Sequence, residues 1–263
     1  MAISANTLFH FTKFEFLEKI LKDKCLFPHY CFENLLNLNM VVAFPLLSFT
    51  DIPLEQISIH ALKYGGNGLG LKKKEWGIEK GKRTNQIVNP VFYITEKSHI
   101  NSMFGKILRT YFKDNALHVN GKERIIVQLF LETLGLYKLH EGYEWDKGAN
   151  KFKGHQTNFY DEREWRYLPD VLSEREKEEH LPINFYPNDE FYDAEKKFKF
   201  DYFESKNKEI EKYKLEFTAD DIDYIYVEDE SKIYQMTEVL REAFSESDCT
   251  KLISKLSMIP NRH

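Results

Sequence analysis

The segment Asp161-Glu162-Arg163-Glu164-Trp165-Arg166-Tyr167 carries the clearest potential for chemistry in this chain. On an extended strand Glu162 and Glu164 share one face, while Arg163 and Trp165 take the other. Neighbouring carboxylates raise the pKa of one of them unless a cation intervenes, and Arg166 on the same face is a candidate for that cation. A carboxylate held this way accepts a hydrogen bond from a ribose hydroxyl and stabilises positive charge on an anomeric carbon. On the charge pattern alone, a surface ladder of ion pairs is the favoured interpretation.

His10 and Thr12 form a second candidate group in the apolar run Leu8-Phe9-His10-Phe11-Thr12. A fold that brings this run beside the glutamates places a carboxylate opposite an imidazole and a hydroxyl. That arrangement suits bond cleavage in a polyhydroxylated substrate such as a nucleotide. Taken separately, His10 is more often a core histidine with satisfied hydrogen bonds, and Thr12 is explained as a helix cap. Ser48 and Thr50 are equally typical of ordinary strand residues.

The N-terminal part of the chain is predicted to position these side chains on short elements. A strand at Leu8–Phe11 precedes a helix at Thr12–Lys22, where Thr12 and Glu15 have the spacing of a capping box. A second apolar run predicts a strand that begins near Pro45, because proline cannot donate to a sheet ladder. The elements expected next are a turn at Thr50–Pro53, a short helix ending near Tyr64 and a glycine-rich bend at Tyr64–Leu71.

The remaining pattern mixes strands and helices and predicts an α+β fold in a single domain over residues 1–263. The highly charged residues 170–212 are expected to form an insertion or arm of that domain. Strands are expected at Ile87–Ile94, Asn158–Leu168, Leu215–Phe217 and Tyr224–Val227, and helices at Arg124–Tyr137, Ile233–Phe244 and Cys249–Leu256.

The charge distribution is uneven. A formal net charge of -5 over 263 residues excludes a chain that is basic throughout. The segment from Lys72 to Arg83, however, contains six basic residues and two acidic ones. Such a segment can steer a phosphate-bearing ligand towards a pocket, although a solvated loop is the commoner explanation. The candidate nucleic-acid contacts in it are Lys72, Lys73, Lys74, Lys82 and Arg83.

Several classes of protein are disfavoured by what the sequence lacks. No stretch approaches the roughly 20 apolar residues that span a bilayer, and the N-terminus does not read as a signal peptide. The three cysteines include no C-x-x-C pair, so reduced thiols in a cytoplasmic protein are expected. The nine histidines are scattered, so no metal site is expected.

A series of short motifs runs along residues 8–168. In order, they are Leu8-Phe9-His10-Phe11-Thr12, Ser48-Phe49-Thr50-Asp51-Ile52-Pro53-Leu54, Gly68-Leu69-Gly70-Leu71, Lys74-Glu75-Trp76-Gly77, Pro90-Val91-Phe92-Tyr93 and Glu162-Arg163-Glu164-Trp165-Arg166-Tyr167. Together they resemble the AbiGi family of bacterial phage-resistance proteins. The resemblance implies a role in antiviral defence by abortive infection, in which a toxin is paired with a protein that restrains it.

The opening His-Phe-Thr strand and the helix after it are similar, more distantly, to the start of bacterial ADP-ribosyltransferase toxins. That resemblance implies a split mixed β-sheet flanked by helices, and NAD as the donor of ADP-ribose to a macromolecular acceptor, with nucleic acid (RNA or DNA) favoured. It implies that Glu164 orients the ribose or accepts a proton, that Glu162 positions the acceptor, and that His10 contacts the ribose. The rest of the implied NAD site is Thr12, Ser48, Thr50, Tyr64 and Arg166, with Ser48, Tyr64 and Tyr93 competing for its middle element.

Two other functions are compatible with the sequence. A non-catalytic sensor or antitoxin-like binding module of an abortive-infection system fits the acidic net charge and the lack of an independently strong catalytic motif. A metal-dependent nuclease built on Asp161, Glu162 and Glu164 fits less well, because the adjacent Arg163 and Arg166 disfavour a metal ion.

Overall fold

The computed structural model describes residues 6–34, 41–73, 88–113, 130, 133–146, 149–169, 186–187, 193, 195 and 197–259. Within these residues the helices are α1 (Phe14–Asp23), α2 (Ile57–Tyr64), α3 (His99–Lys113), α4 (Phe200–Ile210), α5 (Glu230–Ala243) and α6 (Glu246–Ile253). The strands are β1 (Thr7–Thr12), β2 (Cys25–Leu26), β3 (His29–Asn34), β4 (Val41–Thr50), β5 (Asn67–Lys72), β6 (Val88–Pro90), β7 (Phe92–Ile94), β8 (Tyr137–Leu139), β9 (Glu141–Asp146), β10 (Lys151–Asn158), β11 (Glu164–Tyr167), β12 (Tyr186–Pro187), β13 (Leu215–Glu216), β14 (Ile222–Val227) and β15 (Leu256–Met258). In the described ranges, every helix is too short or too polar to span a bilayer.

Nine of these strands form one mixed sheet. Its order is β15-β14-β5-β1-β4-β11-β6, and β3 and β12 also pair with β4. The pairing of β14 with β15 is parallel, whereas β1 pairs antiparallel with both β4 and β5. The sheet and its helices make an α+β fold, which confirms the predicted class. The finer expectation of an ADP-ribosyltransferase-like arrangement stays a prediction.

The sheet nearly divides between β1 and β4. These strands pair at one position, Phe9 with Thr50, whereas β1 and β5 pair at every position from Thr7 to Thr12. Next to the single pair, the His10 side chain joins the two strands, because its Nδ1 lies 3.0 Å from the Ser48 carbonyl oxygen. The gap between the strands is therefore lined by side chains.

Alternate residues of β1 serve two different layers. Leu8 packs into the larger apolar core with Leu21 of α1 and Leu240 of α5, while Phe9 packs into a second cluster with Ile57 of α2. This alternation follows from the pleat of a strand. As a result α1, α5 and α6 cover one face of the sheet, and α2 lies on the opposite face.

Two glycines of β5 let aromatic rings lie against its backbone. A Cβ atom at position 68 would sit 2.7 Å from the Phe11 ring, and one at position 70 would sit 2.8 Å from the Phe9 ring. A residue with a side chain in place of Gly68 or Gly70 would therefore displace these rings. The glycine-rich segment thus serves close packing of β1 on β5 after the predicted bend.

Some local expectations were wrong in detail. The N-cap of α1 is Lys13, without a side-chain cap hydrogen bond, because Thr12 is still paired with Asn67 in the sheet. The strand predicted to begin near Pro45 begins at Val41. Among the described residues, only Tyr30 of β3 pairs with β4 at Pro45. Proline, which cannot donate a hydrogen bond to a second neighbouring strand, is therefore tolerated there. The C-terminal strand β15 was not predicted.

The predicted strand at Asn158–Leu168 is interrupted. A 3-10 turn at Phe159–Glu162 follows β10, and the Asn158 side chain accepts a hydrogen bond from the Tyr160 amide. Arg163 then adopts a left-handed conformation with φ of 44° before β11 begins at Glu164. Glu162 therefore lies before β11 and not on it. Both glutamates line the same cleft, but the alternation of side chains along a strand is not the reason. The strand predicted at Ile87–Ile94 is likewise two short strands, β6 and β7.

The described part of the predicted charged arm is packed on the sheet. Phe203 and Ile210 of α4 share an apolar cluster with Tyr30 and Ala43, and the Asn207 side chain accepts a hydrogen bond from the Tyr30 amide at 3.0 Å. Most of the helix predicted at residues 124–137 lies outside the described residues. That the whole chain is a single domain stays a prediction.

Candidate functional site

A cleft of about 320 Å³ opens where β1 and β4 diverge. Phe9, Phe11 and Phe49 contribute aromatic walls, and His29 and Cys31 of β3 lie at its side. Six of the residues singled out from the sequence line it together: His10, Ser48, Thr50, Tyr64, Glu162 and Glu164. The predicted site residues Thr12, Tyr93 and Arg166 are not part of this lining.

Glu164 is the most tightly held group of the cleft. Its Oε1 accepts hydrogen bonds from Ser48 Oγ at 2.6 Å and Arg166 Nε at 2.7 Å. Its Oε2 accepts from Lys138 Nζ at 2.9 Å and Arg166 Nη2 at 3.0 Å. Burial alone raises the pKa of this carboxyl, but the Arg166 and Lys138 charges outweigh it and hold the pKa far below its ordinary value.

Arg166 lies next to Glu164 and has no exposed surface. Besides Glu164 it binds the Gly135 carbonyl through Nη1 and Glu33 Oε1 through Nη2, both at 2.7 Å. Burial alone lowers the pKa of its guanidinium. The charges of Glu164 and Glu33 together have a larger effect, so the pKa lies above its ordinary value. Arg166 is thus the predicted cation beside Glu164. Its guanidinium is enclosed by protein. Its predicted contact with a cofactor stays a prediction.

Glu162 is held by side chains from two other elements. Its Oε1 lies 2.5 Å from Lys63 Nζ and 2.7 Å from Tyr64 Oη, and its Oε2 lies 2.9 Å from Lys138 Nζ. Burial raises the pKa of this carboxyl, whereas the Lys138 charge and the Lys63 hydrogen bond lower it below the ordinary value. Lys138, rather than Arg166, is the cation between the two glutamates.

Sequence reasoning missed Lys138, Lys63 and Glu33. The available signal was Lys138 itself, a single charge between Tyr137 and Leu139 in a short apolar strand. A lysine in that setting needs an anionic partner when it is buried. The sequence did not say which of the many glutamates supplies it.

These side chains belong to a continuous chain of alternating charges, called here the ion chain. Four carboxylates and four cations follow one another in the order Glu33, Arg166, Glu164, Lys138, Glu162, Lys63, Glu144, Lys153. It runs from Glu33 and the fully buried Arg166 to the partly exposed Lys153 on the β9–β10 hairpin. Along the way it passes a second pocket of about 180 Å³, which shares Glu33, Tyr64, Lys138 and Glu162 with the cleft.

Of the three histidines that line the cleft, His29 is exposed, whereas His10 and His60 are partly or largely buried. His10 is partly exposed, and burial lowers the pKa of its ring in spite of the hydrogen bond with Ser48. His60 of α2 is nine-tenths buried, stacks on Tyr64 with ring centroids 6.4 Å apart, and also has a pKa lowered by burial. Both rings are therefore neutral near pH 7.

The predicted nucleic-acid contacts are only partly within the described residues. Lys73 forms an ion pair with Asp51 at 2.6 Å and lies 4.6 Å from the centroid of the Trp165 ring. It therefore serves the fold in this structure. Lys72 ends β5, and Lys74, Lys82 and Arg83 lie outside the described residues. Among the side chains that are described, no three histidine, cysteine or acidic residues are grouped to hold a metal ion.

Comparison with known proteins identifies the family. Residues 18–228 match the model of the family described as "Putative abortive phage resistance protein AbiGi, antitoxin". The chain belongs to the AbiGi family. A curated relative, the "Abortive phage resistance protein AbiGi" of Lactococcus lactis subsp. cremoris, is 31% identical over 192 residues, which cover 70% of this chain and 71% of the relative. No solved structure matches this AbiGi chain.

The family match confirms the resemblance drawn from the motifs between residues 8 and 168. The likeness to ADP-ribosyltransferase toxins has no such support. The description of the AbiGi family uses the word antitoxin, whereas the sequence had led us to expect the toxin. The names of the family and of the relative indicate a role of this family in phage defence, and the word antitoxin agrees with the antitoxin-like binding module that the sequence left open as an alternative.

Proposed function

We propose that this AbiGi protein is the antitoxin-type binding module of an abortive-infection system. It restrains a cognate partner protein by binding it, and it catalyses no reaction of its own. The description of the family as an antitoxin supports this proposal. The sequence had left this function open as the main alternative to the transferase toxin.

The observation that carries the proposal is the saturation of Glu164. A carboxylate has about four lone-pair sites, and Glu164 fills them with Ser48, Lys138 and two contacts from Arg166. A glutamate that grips a ribose hydroxyl needs a free acceptor site. Glu164 instead fits a structural role at the division of the sheet.

Glu162 supports the same interpretation. Three side chains contact its carboxylate, and its backbone carbonyl accepts a hydrogen bond from Thr50. Its lowered pKa keeps it ionised near neutral pH, so it has no proton to give to a leaving group. The two glutamates thus balance buried cations, as expected of a scaffold that presents a binding surface.

Expression in a bacterial host separates an antitoxin from a toxin. We expect induced expression of the wild-type chain alone to leave growth unchanged. Co-expression with the toxic protein encoded by an adjacent gene should restore growth, and the two proteins should co-purify. Growth arrest by the wild-type chain that is relieved in Glu164→Gln, at equal protein levels, would contradict the antitoxin role.

A second candidate is transfer of ADP-ribose from NAD to a macromolecular acceptor, nucleic acid in the first instance. It is favoured by the grouping of His10, Ser48, Tyr64 and Glu164 around one cleft. In that reaction the bond between ribose and nicotinamide breaks, the acceptor forms a new bond to the ribose, and a glutamate takes the acceptor proton. Glu164 would first have to release one of its four contacts.

Labelled NAD tests this second candidate. The protein is incubated with NAD carrying a label in the adenylate part and with cell lysate, and label is sought on RNA, DNA and protein. Incorporation that is lost in Glu164→Gln would support the transferase. Absence of label would contradict the transferase. If the protein also forms a stable complex with the toxic partner, the antitoxin proposal is supported.

A further inference from the structure

The hydroxyl groups of the cleft have only acceptor capacity left for a ligand. Each hydroxyl carries one hydrogen. Ser48 donates it to Glu164 at 2.6 Å, Tyr64 donates it to Glu162 at 2.7 Å, and Thr50 donates it to the Glu162 carbonyl. All three hydrogens point into the protein wall, so the oxygens offer lone pairs to the cleft.

The His10 imidazole adds a further acceptor to the cleft. His10 Nδ1 faces a carbonyl oxygen, so this nitrogen carries the hydrogen, and Nε2 of the neutral ring carries a lone pair. His60 hydrogen-bonds the Asp161 backbone, while its buried Nδ1 has no hydrogen-bond partner among the described residues. That nitrogen has almost no accessible surface, so the acceptors that a ligand in the cleft can reach are the hydroxyl oxygens and His10 Nε2.

The charges around the cleft disfavour an anion. Glu33, Glu162 and Glu164 line it with Lys138, and the Arg166 guanidinium lies directly behind. The cations next to these carboxylates, Lys138, Lys63 and Arg166, are already paired with them, so a phosphate would meet no uncommitted positive charge among these groups. The rest of the wall includes the rings of Phe9, Phe11 and Phe49, which suit a flat apolar surface.

We infer that this cleft binds an uncharged planar heterocycle with an exocyclic amino group, such as the base of a nucleoside without phosphates. The aromatic walls enclose the ring, and the amino hydrogens bond the lone pairs of the hydroxyls and of His10 Nε2. The volume of about 320 Å³ is within the usual range of small-ligand sites, roughly 300–1,000 Å³. This site is independent of the antitoxin proposal and adds a small-molecule ligand to the protein.

Three matched nucleosides and nucleotides test the inference by calorimetric titration. Adenosine carries the amino group, purine riboside is adenosine without it, and adenosine 5′-monophosphate adds the negative charge. We expect adenosine to bind and the other two to bind at least about tenfold more weakly, which is the effect of roughly one hydrogen bond or one unfavourable charge. Cytidine and guanosine extend the series to the other amino-bearing bases.

A variant pair ties binding to the cleft. His10→Phe removes the Nε2 acceptor and keeps a ring beside Phe49, so adenosine affinity should fall while the melting temperature shows that the fold is retained. His155→Phe, at an exposed position on β10, is the matched control and should bind like the wild type.

Several results would overturn the inference. They are no binding of adenosine, cytidine or guanosine, equal binding of purine riboside, tighter binding of the monophosphate, or an adenosine affinity that is unchanged in His10→Phe. Tighter binding of NAD than of adenosine would also overturn it and would strengthen the transferase candidate. None of these results bears on whether the chain neutralises a toxin, so failure here and failure of the antitoxin proposal remain distinguishable.

Discussion

The two faces of the sheet are built on different principles. On one face, α1, α5 and α6 bury an apolar core in which Leu17, Leu21 and Leu240 are fully enclosed. On the other, beside α2, the ion chain brings Arg166 to the same complete burial. The apolar face is stabilised by non-directional burial of surface, whereas the charged face depends on the position of each donor and acceptor.

This difference predicts different responses to damage. An apolar core loses energy in proportion to the atoms removed and to the cavity left behind. A buried ion pair contributes little net stability when intact, because desolvation offsets attraction, but loss of one partner leaves an uncompensated charge. The charged face should therefore tolerate small changes less well than the apolar face.

The largest effect is expected for Arg166→Met. This change preserves much of the side-chain volume but leaves Glu164, Glu33 and the Gly135 carbonyl without their shared donor. Loss of one member of a buried ion pair typically costs about 3–5 kcal/mol. Urea unfolding followed by circular dichroism measures it.

Arg166→Lys is the matched control for that experiment. It keeps the positive charge but cannot reproduce the planar fork that reaches three groups. We expect an intermediate loss of stability. If Arg166→Met were as stable as the wild type, buried charge would not be the basis of this face.

The corresponding change on the apolar face is Leu21→Ala. Leu21 is fully buried in the larger core, and removal of such a side chain costs about 2–5 kcal/mol. Unlike the effect of Arg166→Met, this loss should stay constant with salt concentration and between pH 5 and pH 8, because no charge is involved. A strong pH dependence in the Leu21→Ala variant would remove the contrast between the two faces.

A smaller effect is expected at the exposed end of the ion chain. Burial raises the pKa of Glu144, but its hydrogen bonds with Lys153 and Lys63 lower it from 4.5 to about 2. Because the folded-state pKa is depressed, its contribution to stability is complete above about pH 4.5 and is lost as the pH falls towards 2. Glu144→Gln should cost about 1 kcal/mol at pH 7, since both lysines are partly exposed.

Thermal unfolding over a range of pH checks this expectation. The melting temperatures of wild type and Glu144→Gln should differ at pH 7 and converge as the pH approaches 2. A difference that does not shrink in acid would show that Glu144 stabilises the hairpin by packing rather than by charge.

Local patterns were sufficient for most secondary structure. The helix predicted at Thr12–Lys22 corresponds to α1, and the strands and helices predicted after Leu215 were found near the expected positions. Prediction was wrong where long-range pairing competed with a local signal. Thr12 stays in the sheet instead of capping α1, and β4 continues through Pro45.

Six residues named from the sequence line one cleft, whereas Thr12 and Arg166, which were also named, do not. Their roles in a functional site stay predictions. The sequence identified His10, Ser48, Thr50, Tyr64 and the two glutamates, and the structure places all of them around one cleft. It could not supply the partners, because a charged residue carries no local record of which opposite charge it meets. Glu33 and Arg166, for example, lie 133 positions apart and bind each other at 2.7 Å.

The sequence by itself determined the family, the α+β class and the residues that approach the division of the sheet. These follow from short-range hydrophobic periodicity and from motifs that can be read along the chain. Only the tertiary structure decided that the glutamates are already occupied by Lys138, Lys63 and Arg166. The use of a carboxylate depends on which donors surround it in space, and folding sets that through contacts between distant segments.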